Sequence, residues 1–208
     1  MRHLRVLVCL AFSLAAAAGL QAQELATYRM DPAHSSVGFM ARHFTVSKVR
    51  GTFDKFAGNF LVDEKDFTRS QFDVTLEAAS VNTRVENRDN HLRSPDFLDA
   101  ANYPQITFKS KRIEKTADGY VAVGDLTIRG ATREVPLRFV LVGPIKDPRG
   151  SSRLGVEAAA SINRQEFGVS WNRLMEGGGL VVSDTIEIEI SAELVKVNPE
   201  TAPPPPPK

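Results

Sequence analysis

Residues 185–194 read Thr-Ile-Glu-Ile-Glu-Ile-Ser-Ala-Glu-Leu. Ile186, Ile188, Ile190, Ala192 and Leu194 alternate with Thr185, Glu187, Glu189, Ser191 and Glu193. Successive side chains of a strand point to opposite faces, so this stretch lays one face on a core and turns the other to water. Residues 71–78 repeat the pattern, with Phe72, Val74, Leu76 and Ala78 set against Gln71, Asp73, Thr75 and Glu77. Two such walls far apart in one chain point to a β-sandwich or a β-barrel.

Outward from these two stretches, eight strand-like segments are expected: 36–42, 48–62, 69–81, 105–114, 120–128, 134–142, 153–163 and 184–195. Most are separated by short polar or Gly-containing turns, and the second is long enough to need a kink, expected at Gly51 or Gly58. Asp118-Gly119 and Arg129-Gly130 are hairpin signals. Eight sequential antiparallel strands can close into an up-and-down barrel, which removes exposed edges; a sandwich is the alternative. One stretch departs from the pattern. Thr83 with Glu86 has the spacing of a capping box, 84–93 is polar and helix-tolerant, and Ser94-Pro95 opens a further turn, so a short helical insertion is expected between the third and fourth strands.

The ends are read separately. Arg2, His3 and Arg5 precede an apolar run at 6–18, and Leu20-Gln21-Ala22 ends in a small residue, so 1–22 is expected to be a signal peptide cleaved near Ala22. The run is shorter than the roughly 20 residues a transmembrane helix needs, and no integral membrane segment is expected in the mature chain. The barrel then occupies 23–198, and the proline-rich 199–208 is an extended, disordered tail.

Cleavage removes Cys9, the only cysteine, so neither disulfides nor thiol chemistry are expected. It leaves 24 basic residues against 25 acidic ones. No long-range field for nucleic acid follows, although a local patch is compatible with that balance. The three remaining histidines, His34, His43 and His91, match no zinc spacing, and neither a metal nor a cofactor is expected. There is no Gly-x-Ser-x-Gly elbow, His-Glu-x-x-His helix or phosphate loop, so nothing supports catalysis.

An eight-stranded barrel has room either for its own side chains or for one small ligand. Small residues such as Ala41, Ala158 and Ala160 leave space on the apolar faces, while Phe39, Phe53, Phe72, Phe108 and Phe139 either line it or fill it. Both outcomes stay open at this level.

Several strings recur together: Asp31-Pro32-Ala33-His34-Ser35; Gly51-Thr52-Phe53 with Phe56-Ala57-Gly58; and His91-Leu92-Arg93-Ser94-Pro95-Asp96-Phe97. They are followed by Tyr103-Pro104 with Ile106 and Phe108, by the run from Gly124 to Arg133, and by Asn163-Arg164-Gln165-Glu166-Phe167-Gly168-Val169. In this order they resemble the YceI-like family of bacterial exported proteins, over about 28–197. The resemblance implies a lipocalin-like, extended eight-stranded antiparallel barrel in the periplasm, binding a polyisoprenoid such as a quinone precursor in an apolar channel. Phe97-Leu98-Asp99 stands where that family often has an aromatic pair.

The residues then expected to contact ligand are Phe39, Phe53, Phe72, Val74, Leu76, Phe108, Leu126 and Phe139. Val156, Ala158, Ala160, Ile162, Trp171 and Ile188 join them, and His34, Arg93, Asp96 and Arg164 are candidates for a polar mouth. Residues 174–183, with Gly177, Gly178 and Gly179, are expected to form a gate. The expected function is sequestration or transport of an isoprenoid or other long-chain amphiphile, and a homodimer is compatible with the sequence. A solidly packed structural or stress-response barrel and an enzyme acting on the lipid are the competing hypotheses.

Overall fold

The computed structural model describes residues 25–173 and 180–198. Its strands are β1 (Ala26–Met30), β2 (Ser36–His43), β3 (Ser47–Phe53), β4 (Phe56–Val62), β5 (Gln71–Glu77), β6 (Val81–Asn82), β7 (Gln105–Thr116), β8 (Gly119–Ile128), β9 (Ala131–Lys146), β10 (Ser152–Asn163) and β11 (Val182–Lys196). One helix, α1 (Glu86–Arg93), joins β6 to β7.

These segments make eight strand lines, because three lines are broken in the middle. Along β11, Tyr28 and Met30 of β1 pair with Lys196 and Leu194, and Ser36 to His43 of β2 continue the ladder from Ser191 to Val182. β4 and β3 lie against β1 and β2 in the same way, followed by β5 and β6. β7 to β11 are unbroken antiparallel neighbours, and the pairing of β11 with β1 closes an all-β up-and-down barrel. The first line therefore starts at Ala26 rather than at residue 36. Five residues are too short a run for alternation to stand out.

The breaks have local causes. Asp31 accepts from the Ala33 N–H at 2.9 Å, and Pro32 starts a 3-10 turn that separates β1 from β2. The second line bends at Asp54-Lys55, between the two glycines expected to kink it. There the Asp54 N–H donates to the Ser80 carbonyl and the Lys55 N–H to Ser80 Oγ, both at 3.1 Å. Gly51 and Gly58 instead make room for rings. A Cβ on Gly51 would lie 2.5 Å from the Phe39 ring, and one on Gly58 would lie 2.6 Å from Phe60. Arg129 and Gly130, at φ of 49° and 73°, form the two-residue turn between β8 and β9.

The helical insertion lies where expected, but its start differs. Glu86 is already helical, and the N-cap, Val85, has no side-chain capping bond. Arg84, at φ of 65°, turns the chain first, so Thr83 faces Asp89 instead of Glu86. The Thr83 N–H and Oγ1–H both donate to Asp89 Oδ1, at 2.8 and 2.5 Å.

The interior divides into two apolar clusters. One end is filled by Tyr28, Phe60, Phe72, Phe139, Leu154 and Leu194. The other is walled by Val37, Leu76, Ile106, Leu126, Ile162 and Phe167, and the helical insertion lies across it.

Candidate ligand-binding site

At the end covered by the insertion, the strands enclose a cavity of about 200 Å³. Cross-strand pairs build its wall: Phe39 faces Ile188, Val37 faces Ile190 and Ala41 faces Ile186. Opposite them, Val74 pairs with Phe108 and Leu76 with Ile106, while Phe108 also faces Leu126. Leu92, Phe97 and Leu98 cover the end. Among the described residues that line it, Thr107 and Arg164 are the polar ones.

Arg164 is 4% exposed and is held on all sides. Its Nε donates to the Ser183 carbonyl at 2.9 Å, its NH1 to Val169 and Trp171 carbonyls at 2.7 and 2.8 Å, and its NH2 to Asp184 Oδ1 at 3.1 Å. Burial pulls the guanidinium pKa below its ordinary value, and the Asp184 carboxylate opposes that shift. An arginine stays charged under such a shift, and four protein acceptors with one carboxylate are what make its burial tolerable. The residue ties the chain leaving β10 to the start of β11, and so fixes the shape of the mouth.

The predicted contact residues separate by depth. Phe39, Phe53, Val74, Leu76, Phe108, Leu126, Ala160, Ile162 and Ile188 line the cavity. Phe72, Phe139, Val156 and Ala158 do not; they belong to the filled end. There the ring of Phe72 meets Phe60 at 5.3 Å and Phe139 at 5.4 Å, and Tyr120 stacks on Phe139 at 5.4 Å. Trp171 stands at the rim, its ring 5.2 Å from Phe97 and 5.0 Å from His91.

Of the polar mouth candidates, only Arg164 reaches the lining. Asp96 Oδ2 accepts from His91 Nε2 at 2.8 Å on the outside of the insertion. Arg93 donates to the Ala79 and Val81 carbonyls, clamping α1 to the wall. His34 is solvent-exposed on the outer wall, bonded to Asp31 at 2.9 Å. Asp31, His34 and Glu193 bring three potential metal-ligand atoms within 4.8 Å of one another. Arg153 already binds Glu193 and Asp147 and lies 3.6 Å from Asp31, so the group reads as an ion-pair cluster.

Leu174 to Gly179 of the expected gate lie outside the described residues. Beside them, Asn172 donates to the Val182 carbonyl at 2.8 Å.

Sequence reasoning missed Leu92, Phe97, Leu98, Val169 and Val182 as lining residues. They sit on the insertion or at strand ends, where no periodicity marks an inward face. Ile186 and Ile190 were within reach, since they share Ile188's alternation.

Comparison with known proteins agrees with this architecture. Residues 28–194 match the YceI-like domain. The chain belongs to the YceI-like family. It is 37% identical over 170 residues to the UPF0312 protein SA2479 of Staphylococcus aureus, covering 81% of this chain and 97% of that one. The Campylobacter jejuni YCEI crystal structure is 28% identical, with a TM-score of 0.63 over 76% of this chain and 90% of its own. A Saccharophagus degradans protein described as a polyisoprenoid-binding domain has the same fold, at 16% identity and a TM-score of 0.59, covering 83% of this YceI-like chain and 99% of that one.

Proposed function

We propose that this YceI-like protein is an exported lipid-binding protein that takes the tail of a polyisoprenoid, or of a similar long-chain amphiphile, into its apolar cavity. There it sequesters the lipid or carries it across an aqueous compartment. The observation that carries the reading is a cavity walled by nine of the predicted contact residues, with two polar residues among the described ones that line it. The Saccharophagus protein of the same fold, described as binding polyisoprenoids, supports it.

The energetics favour such a ligand. Each buried CH₂ contributes about 0.8 kcal/mol, so a few isoprene units offset the ordering cost without polar contacts. Arg164's donors are largely committed to protein acceptors, which suits it to holding the mouth rather than to gripping an anionic head group. At about 200 Å³ the cavity is smaller than the roughly 300–1,000 Å³ of typical small-molecule sites. A long tail must therefore leave its remainder at the mouth or push apart the aromatic end around Phe72 and Phe139.

Native mass spectrometry of the protein recovered from its own host tests the reading. An intact lipid bound one to one supports carriage. A chemically altered lipid points to an enzyme, and a bare chain that refuses added polyprenol points to a packed structural barrel.

A further inference from the structure

The hairpin between β2 and β3 is built against ordinary turn preferences. In its three-residue loop, 44–46, Phe44 and Thr45 take φ of 53° and 61°. Asn and Gly usually supply such left-handed geometry in hairpin turns. A bulky aromatic and a β-branched residue held there are strained. Burial does not offset that strain, because Phe44 is 42% exposed and Val46 is 86% exposed. The tip is nevertheless held. The Phe44 N–H donates to the Val181 carbonyl at 2.9 Å, and the Val46 N–H to the His43 carbonyl at 3.1 Å. The His43 ring lies 4.0 Å from that of Phe44.

Charge singles out the same hairpin. Residues 36–53 contain Arg42, His43, Lys48 and Arg50 and neither Asp nor Glu. Arg42 and Lys48 are direct cross-strand partners, an arrangement that repels. Lys55 and Lys111, by contrast, are matched by Glu77 and Asp125. Among the described residues, Arg42, Lys48 and Arg50 make no ion pair. The tip also stands beside the cavity: His43 pairs with Val182, which lines it, and Ala41, two residues earlier, lines it as well.

We infer that this hairpin tip is a membrane-docking finger, with Phe44 and Val46 entering the interface of an anionic phospholipid bilayer while Arg42, Lys48 and Arg50 meet its phosphates. Exposed apolar residues flanked by cations are what such a surface attracts, and an unfavourable turn that holds a phenylalanine outward gains a purpose there. Docking would set the cavity mouth against the lipid phase. The inference rests on the lipid-binding reading for its purpose but not for its detection, since docking is measured without a ligand.

Flotation with phosphatidylcholine vesicles, with and without phosphatidylglycerol, provides the test, using protein with the N-terminus its host leaves on it. Wild type should float with the anionic vesicles, less so at high salt. Phe44→Ser with Val46→Ser should weaken binding about tenfold or more. Arg42→Gln with Lys48→Gln should weaken it by a similar factor and abolish the preference for phosphatidylglycerol. Val46→Ser alone, at so exposed a position, should shift binding in the same direction with an unchanged Tm, which covers the case of the double variants folding poorly. Equal flotation of wild type and variants, or no preference for anionic vesicles, overturns the inference. So does a dimer that the tip variants split without altering flotation, because the occupant is then a second copy. Polyprenol loading lost while docking persists would remove the lipid-binding reading and leave the finger standing.

Discussion

Ala158 and Ala160 stand two residues apart on one face of β10, and the cavity begins between them. Ala158 pairs with Phe139 in the filled end, whereas Ala160 pairs with Ile188 in the cavity wall. Ala158→Phe should therefore destabilise the fold by about 1–3 kcal/mol through overpacking. Ala160→Phe should cost less and should block lipid uptake, and thermal melts combined with loading assays separate the two. Alternation made both alanines legible as inward, but a period of two carries no information about depth, so the sequence alone treats them alike. Tyr28 offers a second test at this scale. It is fully buried, and burial with a 2.5 Å bond to Glu64 pushes its phenol up to about 12. The neutral phenol is thus favoured in the fold: its contribution is intact below the ordinary tyrosine pKa of about 10 and is lost as pH rises from there toward 12. Wild type should lose stability more steeply than Tyr28→Phe across that window, and parallel pH curves would count against the assignment. At the exposed His34 the bond to Asp31 raises the imidazole pKa and lowers that of the carboxyl. The pair's contribution is lost above His34's raised value and again in acid as Asp31 protonates. The difference in Tm between wild type and His34→Ala should accordingly be greatest in mildly acidic buffer and vanish at alkaline pH.

Among the elements, the helical insertion most directly sets the cavity. Leu92, Phe97 and Leu98 cover the barrel end only because α1 is fixed to the wall by Arg93 and to its own leading loop by Asp89. Asp89 is 6% exposed and satisfies two Thr83 donors. Asp89→Ala should cost about 1–3 kcal/mol by leaving them unpaired, and it should raise hydrogen exchange across 86–98 before the strands open. A melt within error of wild type would show that water replaces the carboxylate. The insertion's existence was legible in the polar run after Thr83, but its true cap was not. Choosing Asp89 over Glu86 depends on the positive φ of Arg84, a backbone state that arginine's identity does not announce. The same limit applies to the strand breaks, where Ser80 bends a line 25 residues away in sequence. β7 to β11, by contrast, follow from alternation and turn chemistry almost unaided.

At the scale of the whole molecule, closure converts the alternation into function. Pairing β11 with β1 closes the barrel at its filled end and turns eight half-apolar lines into one interior. Tyr28, Phe60, Phe72 and Phe139 fill that interior at one end, while at the other Phe39, Phe53 and Phe108 stand with aliphatic side chains around open space, and only the closed barrel shows which end is which. The central claim is that this open end receives an apolar chain. Titration of the purified protein with a long-chain polyprenol, followed by native mass spectrometry, tests it most directly when wild type and Ala160→Phe are compared. Wild type should form a one-to-one complex, and a folded Ala160→Phe little or none. No complex with wild type, or equal loading of both proteins, would contradict it.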